Sequence, residues 1–201
     1  MSYWKTFCGA VGAGAAIAIG GTVYLSLDDR IAGALLFAVG LYLICAQGLN
    51  LFTGKVGYAV TQPKQYWAEL AVIWCGNYFG TFMSALALRA TRVSGIAEKA
   101  QQLCAGKEGD SLLSLLLLGV FCGILMYGAV DSYKKTTNPL ILFACVSVFI
   151  LCGFEHCIAD MFYFSLAGRF SLDILLRLLV ITAGNTLGGI LIPVLQQKRA
   201  A

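Results

Sequence analysis

Six long stretches without a charged residue dominate the sequence. They cover residues 6–27, 31–54, 70–88, 111–130, 136–154 and 178–197. Each stretch is close to the roughly 20 residues that an α-helix needs to cross the apolar core of a bilayer. Charged residues make up 12% of the chain and hydrophobic residues 59%, whereas a soluble domain has about 25% charged residues. The sequence therefore predicts a membrane protein with six spans.

The segments between these stretches are short, and the only sizeable polar segment covers residues 89–110. This pattern predicts one transmembrane domain with no separate soluble part. The first stretch has no cleavage signature after it, so we interpret it as a retained span and not as a signal peptide. The basic residues are scattered, which argues against a nucleic-acid partner, and their even distribution over the two sides leaves the orientation undetermined.

A short motif occurs twice, once in each half of the chain. "CGNYFGT" at 75–81 returns as "AGNTLGG" at 183–189. The positions in common are Gly76, Asn77 and Gly80 in the first copy and Gly184, Asn185 and Gly188 in the second. Each copy lies in the third span of a group of three, and each follows a second span that ends in a polar break.

The two groups of three spans predict an inverted repeat. Because three crossings is an odd number, the second group must traverse the membrane in the opposite direction to the first. The predicted fold is therefore an all-α membrane protein with six transmembrane helices in a 3+3 arrangement, with the second and fifth helices broken. The repeat halves cover about 1–92 and 107–201. Inverted repeats place a substrate path where their broken helices meet.

The break in the second half, "GFEHCIAD" at 153–160, contains Glu155, His156 and Asp160. Ionisable residues between two apolar segments are costly and usually mark a pathway. The alternative is a loop at the membrane surface, where these groups would be hydrated. His156 is the only histidine, so a haem site with two histidine ligands is excluded, and the cysteine spacing indicates no metal site. We predict no cofactor and no metal.

Four motifs, "NLFTGK", "CGNYFG", "GFEHCIADMF" and "GNTLGG", occur in this order over nearly the whole chain. Together they resemble the formate/nitrite transporter family. The resemblance implies an aquaporin-like fold, assembly as a homopentamer with one pore in each protomer, and a multi-pass protein of the prokaryotic inner membrane with both termini cytoplasmic. It also implies that the substrate is a small monovalent anion such as formate, nitrite or hydrosulfide.

The resemblance also assigns residues to the pore. His156 matches the central histidine, and the break of the second span corresponds to Leu51, Phe52 and Thr53. The cytoplasmic constriction corresponds to Phe37 and Leu41, and the periplasmic constriction to Phe149. The family's longer amino-terminal segment, which takes part in gating in some relatives, is not expected here.

Further positions match residues that support the pore. Lys107 has the spacing of the family's lysine near the pore, although a lysine that extends to the membrane surface is an alternative. Glu155 and Asn185 match supporting residues, and we expect Glu155 to hold the broken helix through backbone hydrogen bonds. Many relatives have Glu in place of Asn50 and Asn in place of Gly123, so a polar contact is missing or replaced.

These residues predict a conduit for anions. Lys107 and the positive ends of the broken helices would attract the anion past apolar rings, and Thr53 and His156 would offer hydrogen bonds and exchange a proton with it. The alternative is a channel for neutral small solutes such as water or urea. An enzyme is not predicted, because adjacent residues such as Glu155 and His156 point about 100 degrees apart on a helix.

Overall fold

The computed structural model describes residues 2–200, and this part of the chain is built from nine α-helices and one 3₁₀ segment. In chain order these are α1 (Tyr3–Ser26), α2 (Arg30–Ala46), α3 (Phe52–Lys55), the 3₁₀ segment (Val56–Val60), α4 (Tyr66–Arg89), α5 (Ile96–Gly109), α6 (Leu112–Thr136), α7 (Pro139–Leu151), α8 (Cys157–Ala167) and α9 (Leu172–Ala200).

The helices give six crossings, of which the second and fifth are broken. Over residues 2–200, four helices are long and apolar enough to cross a membrane, namely α1, α4, α6 and α9. The other apolar helices are too short to do so alone: α2 has 17 residues, α7 has 13 and α8 has 11. The second crossing consists of α2, α3 and the 3₁₀ segment, and the fifth of α7 and α8. The predicted interruption of these two spans is confirmed.

Both interruptions begin with the same backbone turn. Gly48 and Gly153 adopt φ of 64° and 68°, a left-handed conformation that favours glycine. In each case the next N–H reaches back into the helix, from Leu49 to the Ile44 carbonyl and from Phe154 to the Phe149 carbonyl, at 2.9 Å in both. This pattern ends a helix while satisfying its last carbonyls. The first half-helix therefore ends in the same way in both halves of the chain.

The repeated glycine motif is a repeated helix contact. A Cβ atom on Gly80 of α4 would overlap the Val11 carbonyl oxygen of α1, and a Cβ atom on Gly188 of α9 would overlap the Val120 carbonyl oxygen of α6. Small residues allow membrane helices to approach at the backbone. The pair α1 and α4 in the first half thus has its counterpart in the pair α6 and α9 in the second.

The helix α5 connects the two halves of the chain and lies on the side of the protein opposite to the chain termini. It follows α4, the third crossing, and its buried residues include Ala100 and Cys104. α5 packs against α8, the second half of the broken fifth span. This contact brings the far end of α5, with Lys107, to the middle of the second repeat.

Candidate functional site

Asn77 of α4 fixes the break in the second span. Its side-chain oxygen accepts a hydrogen bond from the Phe52 N–H at 2.9 Å, and its amide group donates to the Asn50 and Ala10 carbonyls at 2.8 Å each. Asn77 is fully buried. A backbone that leaves the helix inside a membrane needs such partners, because no water is available to satisfy its polar groups.

Asn185 of α9 does the same for the fifth span. Its side-chain oxygen accepts a hydrogen bond from the Cys157 N–H at 2.9 Å, and its amide group donates to the Glu155 and Gly119 carbonyls at 2.7 and 2.9 Å. In both halves the asparagine bonds the first residue of the new half-helix and the carbonyl two residues before it. The two Gly-Asn motifs therefore have one structural role, which is to hold an interrupted helix.

His156 lies where the two interrupted spans meet. Its Nε2 atom is 2.8 Å from Thr53 Oγ1, and its Nδ1 atom accepts a hydrogen bond from the Ala159 N–H at 3.1 Å. Only 2% of the residue is exposed. Since Nδ1 is an acceptor, the proton of a neutral ring is on Nε2, which donates to the Thr53 hydroxyl. The hydroxyl proton of Thr53 is then free to point elsewhere.

Phe149 and Phe37 extend this contact into an apolar stack. The Phe149 ring lies parallel to the His156 ring with centroids 5.6 Å apart, and the Phe37 ring meets Phe149 edge-on at 5.9 Å. This corrects the predicted placement of Phe37 and Phe149 on opposite sides of the centre. α2 starts on the side opposite to the termini, so Phe37 lies about one turn closer to that side than Leu41. Phe37 and Phe149 therefore lie on the same side of the centre, in contact with each other.

Lys107 forms ion pairs with two carboxylates. Its Nζ atom contacts Glu155 Oε2 and lies 2.9 Å from Asp160 Oδ1, and its side chain is 13% exposed. Burial lowers the pKa of the Lys107 ammonium, but Asp160 and Glu155 raise it by more, so the net pKa lies above its ordinary value. A lysine held in this way does not extend to the membrane surface. Its charge is also balanced by these two carboxylates, so Lys107 is not a free positive charge.

Glu155 also has a different role from the predicted one, because its side chain forms an ion pair and does not bond the backbone of the broken helix. Its carboxylate pairs with Lys107, and the backbone hydrogen bond at this position is donated by the Asn185 amide to the Glu155 carbonyl oxygen. Asp160 was recognised in the polar break but was not predicted as a site residue. Its spacing of four residues from His156 places both on one face of a helix, but only the packing of α5 shows that Lys107 reaches it.

The departures at Asn50 and Gly123 also have structural explanations. The Asn50 amide donates to the Thr6 carbonyl at 3.0 Å, so it ties the first break to α1. A Cβ atom on Gly123 would overlap the Asn185 carbonyl oxygen. Gly123 therefore permits the close approach of α6 and α9. At position 50, a hydrogen bond from the Asn50 amide to α1 replaces the polar contact expected near the centre.

Two cavities lie on either side of the contact between Thr53 and His156. The far cavity, on the side opposite to the termini, has a volume of about 380 Å³ and is lined by His156, Phe149, Lys107 and Asp160 among others. The near cavity, on the side of the termini, has a volume of about 270 Å³ and its lining includes Leu51, Gly54, Lys55 and Lys134. The buried residues between them include Thr53, Leu41 and Phe52.

Comparison with known sequences agrees with this architecture. A family model described as "Formate/nitrite transporter" matches residues 1–197. The chain is 28% identical to the formate channel FocA of Escherichia coli over 183 residues, covering 79% of this chain and 64% of FocA. It is 28% identical to the nitrite transporter NirC of Salmonella typhimurium over 174 residues, covering 77% of this chain and 65% of NirC. The chain thus covers less than two thirds of the length of these relatives.

Solved structures share the fold. A structure described as "Pentameric formate channel with formate bound" superposes with a TM-score of 0.85 at 23% identity, covering 98% of this chain and 97% of that chain. A second, described as "FNT family ion channel", has a TM-score of 0.85 at 26% identity and covers 98% and 90%. The predicted all-α fold with its inverted repeat is confirmed, and the protein is a multi-pass membrane protein. With a family model that matches nearly its whole length, the chain belongs to the formate/nitrite transporter family.

Proposed function

We propose that this protein moves small monovalent anions of weak acids, such as formate, nitrite or hydrosulfide, through a pore centred on His156 and Thr53. The observation that carries the proposal is the 2.8 Å contact between these two side chains, at the meeting point of two broken spans and between two cavities. The relatives, a formate channel and a nitrite transporter, support the same class of substrate.

Charge at the near cavity favours an anion over a neutral solute. Lys55 and Lys134 both line this cavity, and the ammonium of Lys134 lies 4.0 Å from the centre of the Tyr58 ring. Two lysines at one entrance raise the local concentration of anions, because clefts lined by one sign of charge concentrate the opposite one. Water or urea would gain nothing from them, so the alternative of a neutral-solute channel is not favoured.

At the centre of the proposed pore, hydrogen-bonding groups of Thr53 and His156 lie among apolar side chains. Apolar side chains, Phe37 and Phe149 on the far side and Leu41 and Leu51 on the near side, restrict the path to small solutes that shed water. The Thr53 hydroxyl can donate to an anion because His156 already donates to its oxygen. α8 begins at Cys157, directly after His156, and adds the positive end of its dipole.

Proton exchange with the anion needs a donor other than His156 in this geometry. A neutral ring with its proton on Nε2 is a very weak acid, and a charged ring would lose the hydrogen bond that Nδ1 accepts from Ala159. We therefore propose that His156 acts as a neutral hydrogen-bond donor in the resting pore. A proton that accompanies the anion then comes from solvent or from other groups that line the far cavity.

We also propose that the protein works as a homopentamer in the prokaryotic inner membrane with both termini cytoplasmic. The similarity to a pentameric formate channel supports this assembly. Many large apolar side chains on α2, α4 and α9 are exposed in the single chain, as expected for helices that face lipid or neighbouring protomers.

The test is a substrate panel in liposomes. Purified protein is reconstituted, and uptake of formate, nitrite, hydrosulfide, lactate and chloride is measured at two pH values, with water and urea flux measured by light scattering. Thr53→Val removes the hydroxyl at constant shape and should lower anion flux severalfold, whereas the control Thr61→Val, at an exposed position, should not. Urea flux that exceeds anion flux, or unchanged anion flux in Thr53→Val, would contradict the proposal.

A further inference from the structure

The charged cluster beside the proposed pore contains two carboxyl groups but only one ammonium group. It consists of Lys107, Glu155 and Asp160, where a single ammonium contacts both carboxylates. Glu155 and Asp160 are 5% and 1% exposed. With both carboxyl groups ionised, the cluster carries a net charge of −1 on largely buried side chains. Buried charges are costly unless each is paired and hydrogen-bonded.

One oxygen of the cluster lacks a partner. Asp160 Oδ1 pairs with Lys107, but Asp160 Oδ2 is buried and has no hydrogen-bond partner among residues 2–200. Because both carboxyl groups contact the same Lys107 Nζ atom, the Glu155 carboxyl lies beside the Asp160 side chain. A proton on Asp160 would turn an unpaired acceptor into a donor aimed at the second carboxylate. Two carboxyl groups that share a site commonly hold one proton between them.

No other group around Asp160 supplies the missing positive charge. Within the described residues, the neighbours are neutral thiols, phenols and the neutral ring of His156, or they are charges that are paired or lie at the cavity rim. They are Cys104 and Glu108 on α5, Cys122 on α6, His156 at the break, Cys157 and Tyr163 on α8, Tyr24 on α1, Arg169 after α8, Arg177 on α9, and Arg30 and Asp110 at the cavity rim. Arg177 pairs with Asp173 at 2.7 Å and donates to the Lys107 and Asp110 carbonyls. Arg169 faces Glu108 at 3.8 Å.

We propose that Asp160 is a proton-binding residue of this protein, and that its proton, shared with Glu155, controls how readily anions pass through the far cavity. Asp160 lines that cavity together with His156. With the proton bound, the cluster is neutral and an anion can approach the centre. Without it, the cavity contains an uncompensated negative charge that repels the anion.

The direction of the pH dependence follows from the charge. Lowering the pH on the far side loads the proton and raises anion flux, and raising the pH removes the proton and lowers flux. One unit charge about 12 Å from the path changes anion occupancy by roughly tenfold at an effective dielectric of about 20, and a closer charge changes it by more. This inference rests on the proposed anion transport, but the protonation of Asp160 can be tested separately.

The experiment compares wild type with Asp160→Asn, which keeps the shape of the side chain and removes its charge and its acidic proton. Flux of nitrite, which stays ionised near neutral pH, is measured in liposomes over a pH series. Wild-type flux should fall as the pH rises, while the variant should stay flat and exceed wild type by roughly tenfold at the alkaline end. The matched control is Asp28→Asn, which removes an exposed carboxylate that pairs with Lys99 outside the far cavity and should keep the wild-type pH profile.

A variant profile with the same slope as wild type would overturn the proposal and leave anion transport itself intact. If Asp160→Asn does not assemble, infrared titration of wild type labelled at aspartate decides the question. A carbonyl band of a protonated aspartic acid near neutral pH supports the proposal, and its absence overturns it. Because this band does not depend on flux, it also distinguishes failure of the proton site from failure of the proposed transport function.

Discussion

Leu51 and His156 occupy equivalent positions in the two halves of the protein. Each is the last residue before a new half-helix, α3 or α8, and each directly follows a carbonyl group that an asparagine holds. The His156 side chain caps its helix by accepting the Ala159 N–H, whereas Leu51 provides no cap. The duplicated scaffold thus carries a polar group in one half and an apolar group in the other, so the centre of the protein has two chemically different sides.

This equivalence predicts that His156→Leu still folds, because the first half tolerates leucine at the same position. Loss of the cap should cost about 1 kcal/mol, seen as a small drop in thermal midpoint in detergent, while anion flux should fall strongly because Thr53 loses its ordered partner. His156→Asn keeps a side chain that can cap a helix and should be closer to wild type in stability. Aggregation of His156→Leu with a stable His156→Asn would show that the cap is essential.

The hydrogen bonds of His156 predict its tautomer. Nitrogen NMR of histidine-labelled protein should show a neutral ring with its proton on Nε2 and an unprotonated Nδ1. Since this is the only histidine in the chain, the signal needs no assignment once any histidine affinity tag has been removed. A ring protonated at Nδ1 would contradict the hydrogen bond from Ala159.

The asparagine pair predicts matched losses of stability. Asn185→Leu and Asn77→Leu each remove three hydrogen bonds to backbone groups that have no access to water. Leaving a buried polar group unsatisfied costs about 1–3 kcal/mol, so both variants should lose several degrees in thermal midpoint and most anion flux. The control Gln196→Leu removes an exposed amide from α9. Equal stability of Asn185→Leu and the control would refute the holding role.

The contact between Phe37 and Phe149 predicts that they act as one constriction. Phe37→Ala and Phe149→Ala should each admit a larger anion such as lactate, and the double variant should add less than the sum of the two effects, because the first truncation already opens the path. Phe79→Ala removes a ring that is 47% exposed and serves as the control. Additive effects on lactate flux would indicate two separate constrictions, as the sequence had suggested.

The close contact of α6 and α9 predicts that Gly188 tolerates no side chain. Gly188→Leu places a side chain against the Val120 carbonyl group and should separate the two helices, which would abolish assembly in size-exclusion chromatography. Gly128→Ala on α6 is the matched control, because a Cβ atom there meets no neighbouring atom within 4 Å. It should be tolerated or slightly stabilising, since alanine favours a helix over glycine.

The crossings and the repeat could be predicted from the order of the residues alone. Uncharged stretches of sufficient length require membrane helices, because backbone groups must be satisfied internally in lipid. The two Gly-Asn motifs indicate that the third spans of the two halves are equivalent. Because each half has an odd number of spans, the two halves cross the membrane in opposite directions. The central position of His156 and Thr53 is an expectation from the family resemblance, whereas their 2.8 Å contact is a result of the packing.

Three features depended on how the helices pack and could not be read from the chain. Phe37 pairs with Phe149, Lys107 is neutralised by Glu155 and Asp160, and one oxygen of Asp160 has no partner among residues 2–200. Periodicity reports which stretch of chain enters the membrane, because hydrophobic transfer depends on local composition. Which side chains meet across separations of about 50 to 110 residues is set by the angle and depth at which helices contact each other. This information is distributed over the whole bundle.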